Sequence, residues 1–270
     1  MTANPDAIIV GAGPAGLACA VTMRAAGLNV TVLERADSVG SVWRRHYDRL
    51  HLHTDRKHSG LPGMVMAKTY PLYPAREQVV EYLENYAARF DIQPVFNTTV
   101  SRIRPDGTQW RAELAQGSIS APVVVVATGM ADAPYRPSWP GSEVYRGPVV
   151  HSCEYRNPTR YAGKRVLVVG FGNSGGEIAL DLANAGIDVT LRFEAPFRFC
   201  PAISWAFRSW HGQSCIGGYP RAPGRFDQRS DIAVGYRSNR KAGIALRVQR
   251  TASNGRGGWT RAADRHRHAG

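Results

Sequence analysis

The sequence predicts an α/β chain made of two parallel-sheet units in tandem, the second incomplete and followed by an Arg-rich irregular C-terminal tail. Three observations carry this expectation. Two short apolar runs, Ala7-Ile8-Ile9-Val10 and Val166-Leu167-Val168-Val169, each lead into a Gly-rich turn. Each turn opens a helix-forming stretch that closes on a glycine, Gly27 or Gly186, before a β-branched run. Finally, 13 of the 34 Lys+Arg but only 3 of the 21 Asp+Glu lie after residue 200, so most of the net charge of +13 sits in the tail.

Composition narrows the class. The 270 residues are 43% hydrophobic and 20% charged, which fits a soluble globular chain with room for one large domain or two ordinary ones. No apolar run approaches the 18 or so residues of a membrane span. The first ten residues hold no Lys or Arg, so no secretory leader is expected. Cys19, Cys153, Cys200 and Cys215 form no C-x-x-C. That spacing excludes a disulfide scaffold, a Cys-rich zinc site and a thiol–disulfide pair, and points to a reducing, cytoplasmic setting.

In the first unit, Gly11-Ala12-Gly13-Pro14-Ala15-Gly16 follows the strand at once. Its spacing suits a dinucleotide. Gly11 permits the tight turn, Gly13 lets backbone approach a pyrophosphate, and Gly16 lets helix and strand pack closely, while the helix N-terminus offers free N–H groups. The second strand, residues 29–33, ends on Glu34, placed to accept hydrogen bonds from ribose hydroxyls.

Residues 35–107 read as connecting structure plus one amphipathic helix over 74–89, with Val79, Val80, Leu83, Tyr86 and Ala87 at helical spacing. The His- and Arg-rich run from Trp43 to His58 is expected to line a cofactor cleft. His46, His51 and His53 match no zinc spacing and lack clustered acids, so no metal is expected. Residues 109–114 and 118–126 read as an antiparallel excursion around Gln116-Gly117. Its apolar end runs into Ala127-Thr128-Gly129, small residues that let backbone approach something bulky.

The second unit begins over 164–191. Gly170-Phe171-Gly172-Asn173-Ser174-Gly175 repeats the turn, a helix is expected over 177–185, and no acid ends the next strand as far as Leu191. A site without the ribose-binding acid tolerates a 2′-phosphate, hence NADP. Two such units in series imply a flavin on the first and a nicotinamide on the second.

With these motifs in place, the sequence resembles the flavin-containing monooxygenases, and within them the YUCCA-type indole-3-pyruvate monooxygenases. Tyr145-x-Gly147-x-x-x-His151-x-x-x-Tyr155 is similar to the fingerprint F-x-G-x-x-x-H-x-x-x-Y/F, with Tyr for Phe. Tyr47-Asp48-Arg49-Leu50-His51-Leu52-His53, Tyr73-Pro74 and Phe90-Asp91-Ile92 also match, and the likeness runs from about residue 6 to 191.

The resemblance implies that NADPH reduces FAD and that a C4a-hydroperoxyflavin then inserts one oxygen atom of O2 into a small organic substrate, an indole-3-pyruvate-like acid among the candidates. No Ser-His-Asp or paired-carboxylate machinery is needed. FAD is expected at Gly11, Gly13, Pro14, Ala15, Gly16, Glu34, Arg35, Val42, Trp43, Ala127, Thr128 and Gly129. NADPH is expected at Gly170, Gly172, Asn173, Ser174 and Gly175. His151 is expected to be structural. Thr54 stands ahead of Lys57 where animal-type members carry an Asn, which speaks against amine N-oxygenation.

The likeness stops after Leu191. Family members continue with a pattern like V-R-x-S-V-x-V-L-P-R-D/E-x-x-G, whereas this chain reads Arg192-Phe193-Glu194-Ala195-Pro196-Phe197. A codon frame shifted by one base turns Phe199-Cys200 into Leu and Trp205-Ala206 into Gly, both residues of the family pattern. The expectation is a frameshift near Leu191, an out-of-frame Arg-rich peptide beyond it, and a truncated, impaired product. A natural basic tail and a nucleic-acid arm, with Trp205, Trp210 and Trp259 to stack on bases, are the alternatives. The expected domains are 1–144 for FAD, 145–163 as fingerprint and linker, 164–191 as the start of the NADPH domain, and 192–270 as tail. A non-catalytic dinucleotide-binding remnant is the alternative function.

Overall fold

Ala7–Val10 forms β1 because four consecutive apolar residues suit a strand covered on both faces, as in a parallel sheet, and all four are buried. In the computed structural model, residues 5–131, 133–194 and 247–251 are described; for Phe193, Glu194 and 247–251 the description is of the backbone. The described residues fall into two compact units.

The first unit takes residues 5–134 together with Cys153–Asn157. α1 (Pro14–Ala25) starts on Pro14, whose missing N–H is no loss in a first turn. It leads to β2 (Val30–Leu33). α2 (Ser41–Arg44) is a single turn, and α3 spans Arg76–Arg89, with the Ala75 N–H donating to the Gln78 side chain at 2.8 Å. β3 (Val100–Asp106), β4 (Gln109–Leu114) and β5 (Ser118–Ala121) form an antiparallel sheet in that order. β6 (Val123–Val126) returns to β1, giving a parallel sheet ordered β2-β1-β6.

Alternation along β1 sorts the core into two layers. Ile9 faces Leu17, Val79, Leu83 and Tyr86 of α1 and α3. Ile8 and Val10 face Ala112 and Ala121 of the antiparallel sheet. The Tyr82 hydroxyl donates to the Met64 carbonyl at 2.6 Å and accepts from the Leu61 N–H at 2.7 Å, while Tyr86 donates to the Pro62 carbonyl at 2.8 Å. These bonds pin the 60–66 loop onto α3.

The structure departs from expectation in two places here. Residues 118–126 are not one strand: Pro122, with no N–H to give a ladder, marks the point where the chain leaves the antiparallel sheet for the parallel one. The region 35–107 also contains β3, which Arg102, Arg104 and Pro105 disguise because it is mostly exposed.

The second unit takes 135–152 and 158–194 with 247–251. β7 (Arg165–Val169), α4 (Asn173–Asn184) and β8 (Asp188–Glu194) form the second βαβ, and β9 (Arg247–Thr251) adds in parallel beyond β8. The sheet order is β7-β8-β9. α4 buries Ile178, Ala179, Leu182 and Ala183, and Val189 and Leu191 of β8 are buried. The strand thus runs three residues past Leu191, and β9 is a strand within the stretch expected to be irregular. The expected frameshift product over 195–246 and 252–270 lies outside the described residues.

Tyr155, the last residue of the fingerprint, is buried and meets buried Tyr47 edge-on at 6.1 Å between ring centroids. Tyr155→Ala is expected to lower the unfolding free energy of the first unit by about 3 kcal/mol. It should also raise amide exchange over 153–157, read by denaturant titration and hydrogen exchange.

Candidate nucleotide-binding sites

The candidate residues of the first unit gather where β1, β2 and β6 end, at the carboxyl edge of the parallel sheet. Ligands of open α/β sheets bind at that edge. Gly11 has φ +107°, and a Cβ there would stand 2.5 Å from the Ala127 carbonyl oxygen. Its N–H donates to the Leu33 carbonyl at 2.7 Å, and the Ala127 N–H donates to the Val10 carbonyl at 2.9 Å. Gly11 is therefore enclosed by the chain on both sides.

A Cβ on Gly16 would lie 1.9 Å from the Gly11 carbonyl oxygen, so α1 presses on the end of β1 backbone to backbone. Gly13, the residue ahead of α1, has nothing within 4 Å of its Cβ position. Two glycines are closed off by the protein, and the one between them faces open space. This is the arrangement a pyrophosphate over a helix N-terminus needs. Ala15 is exposed and Pro14 half-exposed beside it.

Glu34 is only 9% exposed, and backbone holds its carboxylate at both oxygens. The Ala12 N–H donates to Oε2 at 2.7 Å and the Ala36 N–H to Oε1 at 2.9 Å. Each oxygen keeps a further lone pair for a ribose hydroxyl. Ala12 is a site residue that sequence reading passed over, since no side chain marks a backbone donor. Arg35 is exposed beside it. Just beyond, Ala36, Asp37, Ser38, Ser41, Arg44, Arg45 and Asn97 line a cleft of about 350 Å3. Arg44 pairs with Glu84 of α3. Val42 is exposed, whereas Trp43 packs partly against the core. Thr128 and Gly129 lie exposed past β6.

Besides placing Arg44 and Arg45 at the cleft, the His- and Arg-rich run packs within the first unit. Trp43 and His46 rings lie 6.3 Å apart. Arg76 donates to the His46 carbonyl at 2.7 Å and to Asp48 Oδ1 at 3.0 Å, while the Asp48 N–H donates to the Arg156 carbonyl at 2.8 Å. The Tyr47-Asp48 run therefore meets the far end of the fingerprint, a contact invisible in either motif alone. Burial, then the positive charges of Arg156, Arg76 and Arg45, hold the His46 imidazole below its usual pKa of 6.5. Among the described residues no group of three or more His, Cys, Asp or Glu is placed to hold a metal.

The second unit repeats the turn by itself. A Cβ on Gly175 would lie 2.2 Å from the Gly170 carbonyl oxygen, and Gly172 has nothing within 4 Å. Asn173 and Ser174 open α4 behind it. The Gly170 N–H donates to the Arg192 carbonyl at 2.8 Å, as Gly11 does to Leu33. By that register Phe193 stands where Glu34 stands in the first unit, and the acid Glu194 falls one residue later. One feature differs: nothing lies within 4 Å of a Gly170 Cβ, where Gly11 meets Ala127. His151 is half-exposed in the second unit.

The sequence profile of the family described as "Pyridine nucleotide-disulphide oxidoreductase" matches residues 8–198, and the chain belongs to that family. It is 45% identical over 186 residues to an indole-3-pyruvate monooxygenase of Oryza sativa subsp. japonica, YUCCA1, covering 67% of this chain and 46% of that protein. It is 44% identical over 181 residues to YUCCA4 of Arabidopsis thaliana, a probable enzyme of the same name, covering 66% and 44%. Among solved structures, a mutant flavin monooxygenase from Stenotrophomonas maltophilia superimposes with a TM-score of 0.69 at 29% identity, over 73% of this chain and 59% of that one. The chain thus spans about half the length of the curated relatives it matches. Its cysteines form no C-x-x-C.

Two outcomes test this geometry. Gly16→Ala should destabilise the first unit by about 3 kcal/mol through backbone overlap, whereas Gly13→Ala should cost about 1 kcal/mol or less; denaturant titration separates them. His46 binds a proton less readily folded than unfolded, so its contribution is complete above pH 6.5 and is lost as pH falls through the lower folded midpoint. His46→Gln should therefore flatten the acid-side fall in Tm, measured over about one pH unit either side of that value.

Proposed function

We propose that residues 8–198 carry the two nucleotide sites of an NADPH-dependent flavin monooxygenase, FAD on the first unit and NADPH on the second. The observation that carries the reading is the repeated cradle: in each unit the middle glycine faces open space while the third is pressed against backbone. The residues present fit both groups. When bound, the flavin supplies the redox and oxygen chemistry, taking electrons from NADPH and passing one atom of O2 to a small organic acid of the indole-3-pyruvate kind.

The chain's own part is binding and orientation. The first turn of α1 directs N–H groups at the FAD pyrophosphate over Gly13, and Glu34, held by Ala12 and Ala36, accepts from the ribose. Arg35, Val42, Trp43 and Ala127 to Gly129 flank that path. In the second unit Gly172, Asn173 and Ser174 take the NADPH pyrophosphate. Phe193 at the register position of Glu34 supports the 2′-phosphorylated nucleotide, because no carboxylate there repels it. The separated cysteines support a cytoplasmic setting. No helix of the described residues is long and apolar enough to cross a membrane.

For this polypeptide we infer weak FAD retention and no turnover. Among the described residues β6 and β7 each have one unpaired edge, and Val126 stays 64% exposed. Exposed edges and unburied apolar faces among the described residues support that reading. The purified chain should be near-colourless, hold FAD well below one per chain and show no NADPH-dependent oxygen uptake. A yellow, stoichiometric preparation that consumes oxygen would refute the impairment and leave the two-site reading standing. Gly172→Leu should weaken NADPH binding by about tenfold or more without changing FAD binding, and equal loss of both would count against separate sites.

A further inference from the structure

The two units treat their first strand differently. β1 is central, with β2 on one side and β6 on the other. β7 has β8 on one side only, and no strand lies on its other edge among the described residues. Leu167 and Val169, at the positions of buried Ile8 and Val10, are 57% and 55% exposed.

Backbone direction shows which groups face that edge. The Gly170 N–H points at β8, where it meets the Arg192 carbonyl. N–H and C=O groups alternate along a strand, so those of Val168 and Val166 also face β8, and those of Arg165, Leu167 and Val169 face away. In the first unit the matching carbonyl, that of Val10, accepts the Ala127 N–H.

We propose that the edge of β7 that carries no strand among the described residues pairs with β7 of a second copy of this chain, antiparallel about a twofold axis through Leu167. Arg165-Val166-Leu167-Val168-Val169 is self-complementary in that register. Leu167 stands opposite the second copy's Leu167 as a hydrogen-bonded pair, and Arg165 stands opposite the second copy's Val169 in the same way. Val166 faces the second copy's Val168. The strand's one charge, at Arg165, therefore always meets an apolar residue and never its own copy, and the centre holds no charge to oppose joining. Two three-stranded sheets become one continuous sheet, and the edge groups that a free strand leaves to chance encounters are paired. The chain's net charge of +13 opposes the approach of two copies, so salt should strengthen the association. A contact with nucleic acid would respond to salt in the opposite sense.

The test is sedimentation velocity of the full 270-residue chain across micromolar concentrations, with Leu167→Lys, Leu167→Glu and their equimolar mixture. Position 167 is exposed in a single copy, so both variants should keep the wild-type circular dichroism. Each alone sets like charges face to face and should raise the dimer dissociation constant by about tenfold or more. The mixture sets Lys against Glu and should recover the association. Hydrogen exchange at the Leu167 and Val169 amides should slow as concentration rises. A monomer at all concentrations overturns the proposal, including one whose 167 and 169 amides are protected throughout, which would place a segment of the same chain on the edge. So does a dimer that both variants leave unchanged, or a mixture that fails to recover.

Discussion

In each unit a helix start is laid on a strand end with no side chain between. Gly16 against the Gly11 carbonyl, and Gly175 against the Gly170 carbonyl, bring α1 and α4 so near their strands that a single methyl group would collide with backbone. That contact sets the tilt of the helix, and the tilt aims the first-turn N–H groups at the space above Gly13 or Gly172. The candidate chemistry of both units hangs on it, because the residues above the turn contribute backbone rather than reactive side chains.

A second constraint tightens the first unit. Glu34 ties three segments: the end of β2, the turn at Ala12 and the loop at Ala36. A carboxylate with two backbone donors is fixed in place before any ribose arrives, so its remaining lone pairs are already oriented. At the matching register position the second unit has Phe193, which carries no carboxylate to tie segments in this way. The backbone register of the two units is the same, so the difference between the two sites at this position is one of residue type.

The two sheets also differ in how they are finished. An antiparallel sheet covers one face of β1 and two helices cover the other, which is why an unbroken apolar run is stable there. β7 is as apolar, but its Leu167 face and one edge have no cover among the described residues, and its exposure alternates along the strand. The same strand chemistry gives a buried core in one setting and an adhesive edge in the other.

Much of this was legible in sequence because it is local. Glycine spacing, apolar runs, helix-closing glycines and the position of Glu34 follow from short-range sterics and hydrogen bonding, and the resemblance to monooxygenases rests on contiguous motifs. β3 was not legible, because an exposed strand carrying Arg102, Arg104 and Pro105 lacks the apolar alternation that marks a half-buried one. Nor was the change of sheet at Pro122, where one apolar run serves two ladders. The sequence alone determined the two cradles, since three glycines and a following helix leave the backbone little choice. Only the tertiary structure decided that Tyr47 and Tyr155 meet, that Phe193 takes the place of Glu34, and that β7 lies at an edge of its sheet among the described residues. Each of these depends on which distant segment arrives beside a strand, and burial and register between remote segments are written in no single stretch of chain.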